Sequence, residues 1–446
     1  MKNHIVTLLL ILILGPAFGQ SLKDLLRIAE SNYPLLKAKA YEVQARKDNV
    51  SYVQGSALPS LDAAYQVNYA TYNNITGMAV GESFVPISGP PSTDNTSNPV
   101  FGSAAGLLMN WEPFTFGQRK SRVESAKAYA EYQQADARLE LFQHQVKTIN
   151  AYLDVIMADA LITVYAKNVE RSTDNARIVR ALTRNGLRPG TDTTLFNAEL
   201  SRARIELYQH EKMKAAQAIT LSEYLGGSTD YSVDSIFFKK LPSLAEDTST
   251  QDHPLLRVSA SRVQIGVQEK TALQRTMYPK LSFWGTAYAR GSGIRYDGYV
   301  NAQDGLSFSR YNYGAGLILS VPLLQFTTLR HQVNAREALL KSEEEKLNLT
   351  SLQLDKQKEV ASVTLANALR IAHESPAFYQ SAQFSYRALK SRYNSGLVNY
   401  ADFMQAQYAL IKSEADLKRA YIEAWKALLY QAAIKGDISL FLDQLD

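Results

Sequence analysis

The chain carries one pattern twice, and that duplication limits its possible folds more than any single residue does. Asn32-Tyr33-Pro34-Leu35-Leu36-Lys37 returns as Asp252-His253-Pro254-Leu255-Leu256-Arg257. Leu58-Pro59-Ser60-Leu61 is answered by Tyr278-Pro279-Lys280-Leu281, and in both copies the two prolines stand 25 positions apart. Asn110-Trp111-Glu112-Pro113-Phe114 has its counterpart in Ser320-Val321-Pro322-Leu323. Asn185-Gly186-Leu187 with Asp192 returns as Ser395-Gly396-Leu397 with Asp402, six positions from glycine to aspartate each time. The offset drops from 220 at the early prolines to 209 at Pro113 and Pro322, so the second copy is shorter between Pro279 and Pro322. Two structural repeats are expected, 20–230 and 231–446, each with a first helix, a strand hairpin and a long helical hairpin; a C-terminal tail ends the second.

The strand hairpins are expected at about 60–113 and 279–322. Leu61, Ala63, Tyr65, Val67 and Tyr69 share one face, with Asp62, Gln66 and Asn68 on the other. A period of two with one polar face marks a strand between two different solvents. Phe101, Ala105, Leu107, Met109 and Trp111 alternate with Gly102, Gly106 and Asn110. Tyr311, Tyr313, Ala315, Leu317 and Leu319 alternate with Asn312, Gly314, Gly316 and Ser320. The window from Leu281 is the least regular, because Trp284 and Tyr288 fall on the face of Ser282 and Arg290. Each run is about ten residues, the length of a tilted transmembrane strand, and the polar connections 71–99 and 291–310 suit external barrel loops. The 26 tyrosines suit interfacial girdles. A small soluble sandwich would show the same alternation. In a membrane, four strands cannot close a barrel, whose small members need about eight, so copies would have to share one.

The helical hairpins are expected at about 115–225 and 323–431. Ala128, Tyr132, Ala135, Leu139, Phe142, Val146, Ile149, Leu153, Ile156 and Ala160 alternate spacings of four and three, a heptad seam. At ~1.5 Å per residue, roughly seventy residues make a helix on the order of 100 Å long. In the second copy Leu340, Leu347, Leu354, Ala361 and Ala368 recur at sevens, Gln357 interrupts the seam, and Pro376 is expected to break or kink the helix. The return segments 193–225 and 403–431 are helical, as are 34–57 and 254–277. Each repeat can therefore form a rod, one unbroken helix beside two shorter ones set end to end. Gly186 and Gly396 sit at the reversals and supply the left-handed conformation a helix end needs. Asp192 and Asp402 can cap the returning helix, place charge at its positive end, or serve a functional role.

Lys2 and His4 precede an apolar run over 5–14 and the end Gly15-Pro16-Ala17-Phe18-Gly19, which reads as a signal peptide over 1–19. That run is short of the twenty or so residues a spanning helix needs. No later stretch is expected to reach that length, so entry into a membrane would be by strands. With no cysteine, disulfides, thiolate sites and a lipid-anchor cysteine are all excluded. A net charge of +5 on 446 residues implies no nucleic acid. His4, His144, His210, His253, His331 and His373 show no metal-ligand spacing, and neither Gly-x-Ser-x-Gly nor a phosphate loop occurs. Glu343-Glu344-Glu345 reads as a solvated helix face. No enzyme, cofactor or metal site is expected.

The signal segment, the Pro34/Pro59 spacing, Trp111-Glu112-Pro113-Phe114-Thr115-Phe116-Gly117 and the two Gly-Leu-x-x-x-x-Asp tips together resemble the TolC-type outer-membrane efflux protein family. The resemblance covers essentially the whole mature chain. It implies an α+β membrane protein that assembles as a homotrimer. Four strands from each chain would close a twelve-stranded barrel in the outer membrane, and the long helical hairpins would continue as an α-barrel through the periplasm. It also implies the exit duct of a tripartite efflux system, fed by an inner-membrane transporter through a periplasmic adaptor. Gly186-Leu187 and Gly396-Leu397 would receive the adaptor. Asp402, Tyr393 and Asp192 would form the periplasmic gate, Asp402 narrowing the mouth and Tyr393 helping to latch it. The family's basic residue two positions after the second glycine is Val398 here, and its second aspartate three after Asp402 is Gln405, so the Tyr–Arg–Asp latch is expected to be incomplete. Small molecules such as drugs are the expected cargo, with type I protein secretion and metal efflux as alternatives; the 7 methionines are scattered, which does not favour soft metals. A structural coiled-coil envelope protein would explain the rods but neither the strands nor the tips.

Overall fold

In the computed structural model, the period-two windows are strands and the heptad windows are helices. The structure describes residues 22–71, 73, 94–229, 231–232, 234–244, 253–295 and 299–445. The expected signal segment and most of the first strand connection lie outside the described residues. The elements are α1 (Leu22–Asn32), α2 (Pro34–Gly55), β1 (Ser60–Ala70), β2 (Val100–Phe114), α3 (Gln118–Arg184) and α4 (Gly190–Tyr224). They continue with α5 (Pro254–Arg275), β3 (Lys280–Ser292), β4 (Arg310–Ser320), α6 (Phe326–Asn394), α7 (Tyr400–Lys435) and α8 (Ser439–Leu442). Short 3-10 turns fall at Ile236–Phe238 and Ala302–Leu306. Two compact units emerge: Met1–Gln44, Glu131–Arg262 and Glu344–Asp446 form a helical one, and Ala45–Ala130 with Val263–Glu343 the one holding the sheet. Each draws on both halves of the sequence.

The sheet is a meander in the order β1-β2-β3-β4, antiparallel throughout. Ala63 lies opposite Leu107, Leu107 opposite Ala287, and Ala287 opposite Tyr313, so the apolar residues of all four strands share one face. Trp284 and Tyr288, which spoil the alternation of β3, lie on the other face, where glycines make room for them. Trp284 is opposite Gly316, where an added Cβ would stand 2.6 Å from its Nε1, and its ring also covers Gly314. Tyr288 is opposite Gly106, where a Cβ would come within 2.9 Å. An aromatic side chain laid across a glycine covers the backbone the glycine leaves bare. Gly316→Ala should destabilise the sheet by about 1–3 kcal/mol through overpacking. The readout is the temperature at which the folded protein gives way on a gel. An unchanged temperature would mean that the ring moves aside freely.

The end of β2 breaks its own alternation. Trp111 faces Phe283 but Phe114 faces Leu281, so one extra residue bulges out between them, around Glu112-Pro113. Proline has no N–H to give and is tolerated where the ladder is already interrupted. The extra residue reverses the parity, and Phe114 joins Trp111 on the apolar face. β1 and β4 are the two edges of the sheet. Leu61 and Tyr65 on one, and Tyr313 and Leu317 on the other, are exposed. A long apolar edge of this kind invites another strand.

The helical unit centres on Leu25 of α1, Ile149, Tyr152, Leu153 and Ile156 of α3, Trp425 and Leu428 of α7, and Phe237 and Phe441 from the short elements. Two of its large polar aromatics are satisfied: Tyr152 donates to the Ser232 carbonyl at 2.9 Å, and Trp425 Nε1 to that of Lys240 at 3.2 Å. α1 is not among the expected helices, although Leu22, Leu25, Leu26 and Ala29 stand at helical spacing and are all buried. The α3 seam holds, since none of its ten residues is exposed. Two expectations are corrected. α3 carries an 18-residue window apolar enough to cross a membrane, but 56% of that window is buried inside the chain. Around Ile149, Leu153 and Ile156 the cover includes residues of α1 and α7. Pro376 does not break α6, which runs unbroken for 69 residues. Proline withdraws a single donor, the turns on either side persist, and the Ser375 hydroxyl donates to the Ile371 carbonyl at 2.7 Å.

Further along, α3 and α7 meet through polar side chains. Gln407 Nε2 donates to Ser172 Oγ at 3.1 Å, and Asn175 Nδ2 donates to Gln407 Oε1 at 2.9 Å. The buried Glu414 holds Arg171 at 2.6 Å and Lys167 at 3.4 Å. Beyond this layer the core becomes apolar again around Val179, Phe196, Tyr393 and Phe403.

Candidate functional site

The two reversals of the helical unit are built alike. Gly186 and Gly396 have φ of 69° and 77°, a region that side chains disfavour. Leu187 N–H donates to the Leu182 carbonyl and Gly186 N–H to that of Thr183; Leu397 and Gly396 do the same to Arg392 and Tyr393. Such paired bonds satisfy carbonyls that a helix end otherwise leaves open. A Cβ on either glycine would meet nothing within 4 Å, so it is the backbone angle, not space, that asks for glycine. The next residue projects outward in both copies: Leu187 and Leu397 are each 69% exposed.

Asp192 and Asp402 occupy matching places, the third residue of α4 and of α7, yet neither is a cap. The cap of α7 is Asn399, whose side chain accepts from Asp402 N–H at 2.9 Å. α4 follows Pro189, whose carbonyl takes Asp192 N–H at 3.1 Å, and no side chain caps it. The other half of the expectation fits, for both carboxylates lie in the first turn, at the positive end of the helix dipole.

The surroundings of the two aspartates differ. Asp192 Oδ2 accepts from the Tyr393 hydroxyl at 2.7 Å. Tyr393 is 1% exposed and stacks on Phe403 at 5.2 Å, with Phe196 tilted against it. The Arg188 guanidinium lies 4.2 Å from its ring centroid and also donates to its carbonyl. Burial first, then the bond to Asp192, pushes the phenol above its usual range, so it remains a donor. An arginine does lie beside Tyr393, although position 398 is valine. The arginine comes from the first reversal, two positions after Gly186, while Val398 packs against the same aromatic cluster. Asp402 and Gln405 are exposed, and the structure does not bring Asp402 into this cluster.

A second clasp of the same composition lies two turns along α4. Tyr408 donates to Glu199 Oε2 at 2.6 Å, and Arg202 sits 5.0 Å from the Tyr408 ring centroid. Burial, then the Glu199 bond, raises this phenol too. Sequence reasoning missed it. The available signal is that Arg188 and Asp192, like Glu199 and Arg202, stand one helical turn apart. Two tyrosines from the second half thus hold two carboxylates of α4. Among the described residues, no group of three or more His, Cys, Asp or Glu could hold a metal ion.

The family model described as outer membrane efflux protein matches residues 25–227 and 247–430, most of the chain. No curated protein matches it. Among solved structures it is similar to the CmeC outer membrane channel of Campylobacter jejuni, at 14% identity over 93% of this chain and 85% of that one, with a TM-score of 0.76. It is similar to the outer membrane protein VceC of Vibrio cholerae at 14% identity, over 93% and 96% of the two chains, TM-score 0.73. The open state of the MtrE outer membrane channel of Neisseria gonorrhoeae matches at 12% identity, over 94% and 89%, TM-score 0.74. At these identities the likeness is one of fold.

Proposed function

This chain belongs to the outer membrane efflux protein family, and from that premise we propose that three copies share one barrel and form the exit duct for small organic molecules. The family is one of outer-membrane channels and not of enzymes, and its members act with partners as the exit ducts of tripartite pumps. The open edges of β1 and β4 carry the trimer reading: a four-stranded meander with an exposed apolar face needs strands from elsewhere to close. The repeat reading, 20–230 and 231–446, is supported by the recurrence of α2-β1-β2-α3-α4 as α5-β3-β4-α6-α7.

The paired tips at Gly186-Leu187 and Gly396-Leu397 are where a periplasmic adaptor, itself bound to an inner-membrane transporter, would dock. Their identical build and equal exposure support this. The clasp of Tyr393 on Asp192 would hold the mouth closed, and Asp402 would face the bore. Asp402→Asn is expected to lower cation selectivity and weaken block by multivalent cations in planar bilayers, because three copies would concentrate charge at one constriction. Unaltered selectivity would leave Asp402 with only its place in the first turn of α7. Heat-sensitive migration on an unboiled gel tests the assembly, and a monomer there sinks the shared barrel.

A further inference from the structure

At both places where the sheet passes into a long helix, apolar side chains stand out exposed among the described residues. At the first, the bulge turns Phe114 onto the apolar face. Phe116 follows with φ 46° and Gly117 with φ 93°. Phe116 is the one non-glycine residue with positive φ among the described residues. A bulky residue in that region is disfavoured, and here the strained backbone presents a ring that is 53% exposed. Strain kept for a side chain with no berth inside the chain points to one outside it. At the second junction Leu323, Leu324 and Phe326 are exposed, Leu324 at 91%.

The junctions lie at one end of the sheet, since Phe114 pairs with Leu281 and the neighbouring Lys280 with Ser320. They therefore continue the apolar face. Cations follow at once: Lys120 and Arg122 in the first turns of α3, and Arg330 in α6, all exposed. Acids are scarce. Glu112 is held by Lys280 at 2.8 Å, and there is no Asp or Glu from 113 to 123 or from 305 to 336.

We propose that the two junctions form a collar for anionic phospholipid of the periplasmic leaflet. The apolar rings enter the acyl layer, and Lys120, Arg122 and Arg330 meet headgroup phosphates. Aromatic belts flanked by basic residues have this affinity for charged interfaces. The proposal rests on the outer-membrane reading, because the collar is continuous with the face that meets that membrane.

The test is native mass spectrometry of the full assembled protein in a zwitterionic detergent, mixed with phosphatidylglycerol or with phosphatidylcholine of the same acyl chains. Retention of phosphatidylglycerol should exceed that of phosphatidylcholine on the order of tenfold, given three cations per chain. Lys120→Gln, Arg122→Gln and Arg330→Gln together should erase the preference and leave conductance unchanged. Phe116→Ser with Leu324→Ser should lower retention of both lipids. Equal retention by the native protein, or a preference surviving the triple substitution, would overturn the collar. So would dissociation of the Phe116→Ser/Leu324→Ser assembly, which would assign the rings to a contact between copies. Absence of any conducting pore would instead defeat the duct reading itself, whereas conduction without lipid preference defeats only the collar.

Discussion

Gly186→Val combined with Gly396→Val is expected to abolish export while the protein still assembles and reaches the outer membrane. Both glycines have φ near +70°. A β-branched residue there costs upward of roughly 1–2 kcal/mol. Nothing lies within 4 Å of an added Cβ at either site, so the penalty is purely conformational and cannot be relieved by repacking. It is small beside a stability of ~5–15 kcal/mol for an ordinary domain, so the fold should survive. What changes is the path of the chain through the reversal, and with it the direction of Leu187 and Leu397. Gly→Asn at the same sites is the control, because asparagine tolerates the left-handed region. Drug susceptibility in a strain that relies on this duct should match a deletion strain for the valine pair and the native strain for the asparagine pair. Full resistance with both valines in place would remove the tips from the docking surface.

The second large effect is expected from Tyr393→Phe with Tyr408→Phe. Each substitution keeps the ring and its stacking but removes a hydroxyl that donates to a carboxylate, at 2.7 Å to Asp192 and at 2.6 Å to Glu199. A hydrogen bond to a charged acceptor is worth about 1.5–3 kcal/mol, so each loss should shift a closed-to-open ratio by on the order of tenfold or more. The two clasps share α4, and their effects need not add. Larger single-channel conductance, and cells that admit bulky antibiotics, are the expected readings. If both variants conduct like the native protein, the clasps tie helices together without gating anything.

Particular residues show what was legible in the sequence. The strands of the sheet were, because Leu61 to Tyr69 and Tyr311 to Leu319 alternate between two environments. The end of β2 was not: a bulge at Glu112-Pro113 reverses parity, and alternation cannot register a reversal that depends on pairing with Leu281. Trp284 and Tyr288 looked irregular only until Gly316 and Gly106 were seen opposite them on neighbouring strands. The reversals were legible because left-handed turns narrow the choice to glycine. The clasp at the first reversal was only half legible. Tyr393 and Asp192 were singled out separately, but Arg188 reaches Tyr393 across 205 positions, a separation no local period encodes. The capping role given to the aspartates failed because both are third residues of their helices: Asn399 already caps α7, and α4 starts after Pro189 with no side-chain cap.

The polar layer around Gln407 bears on how the helical unit loosens. It separates the apolar cluster at Tyr393 and Phe403 from the larger core at Trp425, so neither cluster draws on the other's packing. Units divided in this way open as separate cooperative blocks. Amide hydrogens of α7 ahead of Gln407 should therefore exchange with solvent deuterium well before those around Trp425, with the change in protection falling at the layer itself. The end of the unit at the two reversals would then open many times for each event that disturbs the rest of the helix.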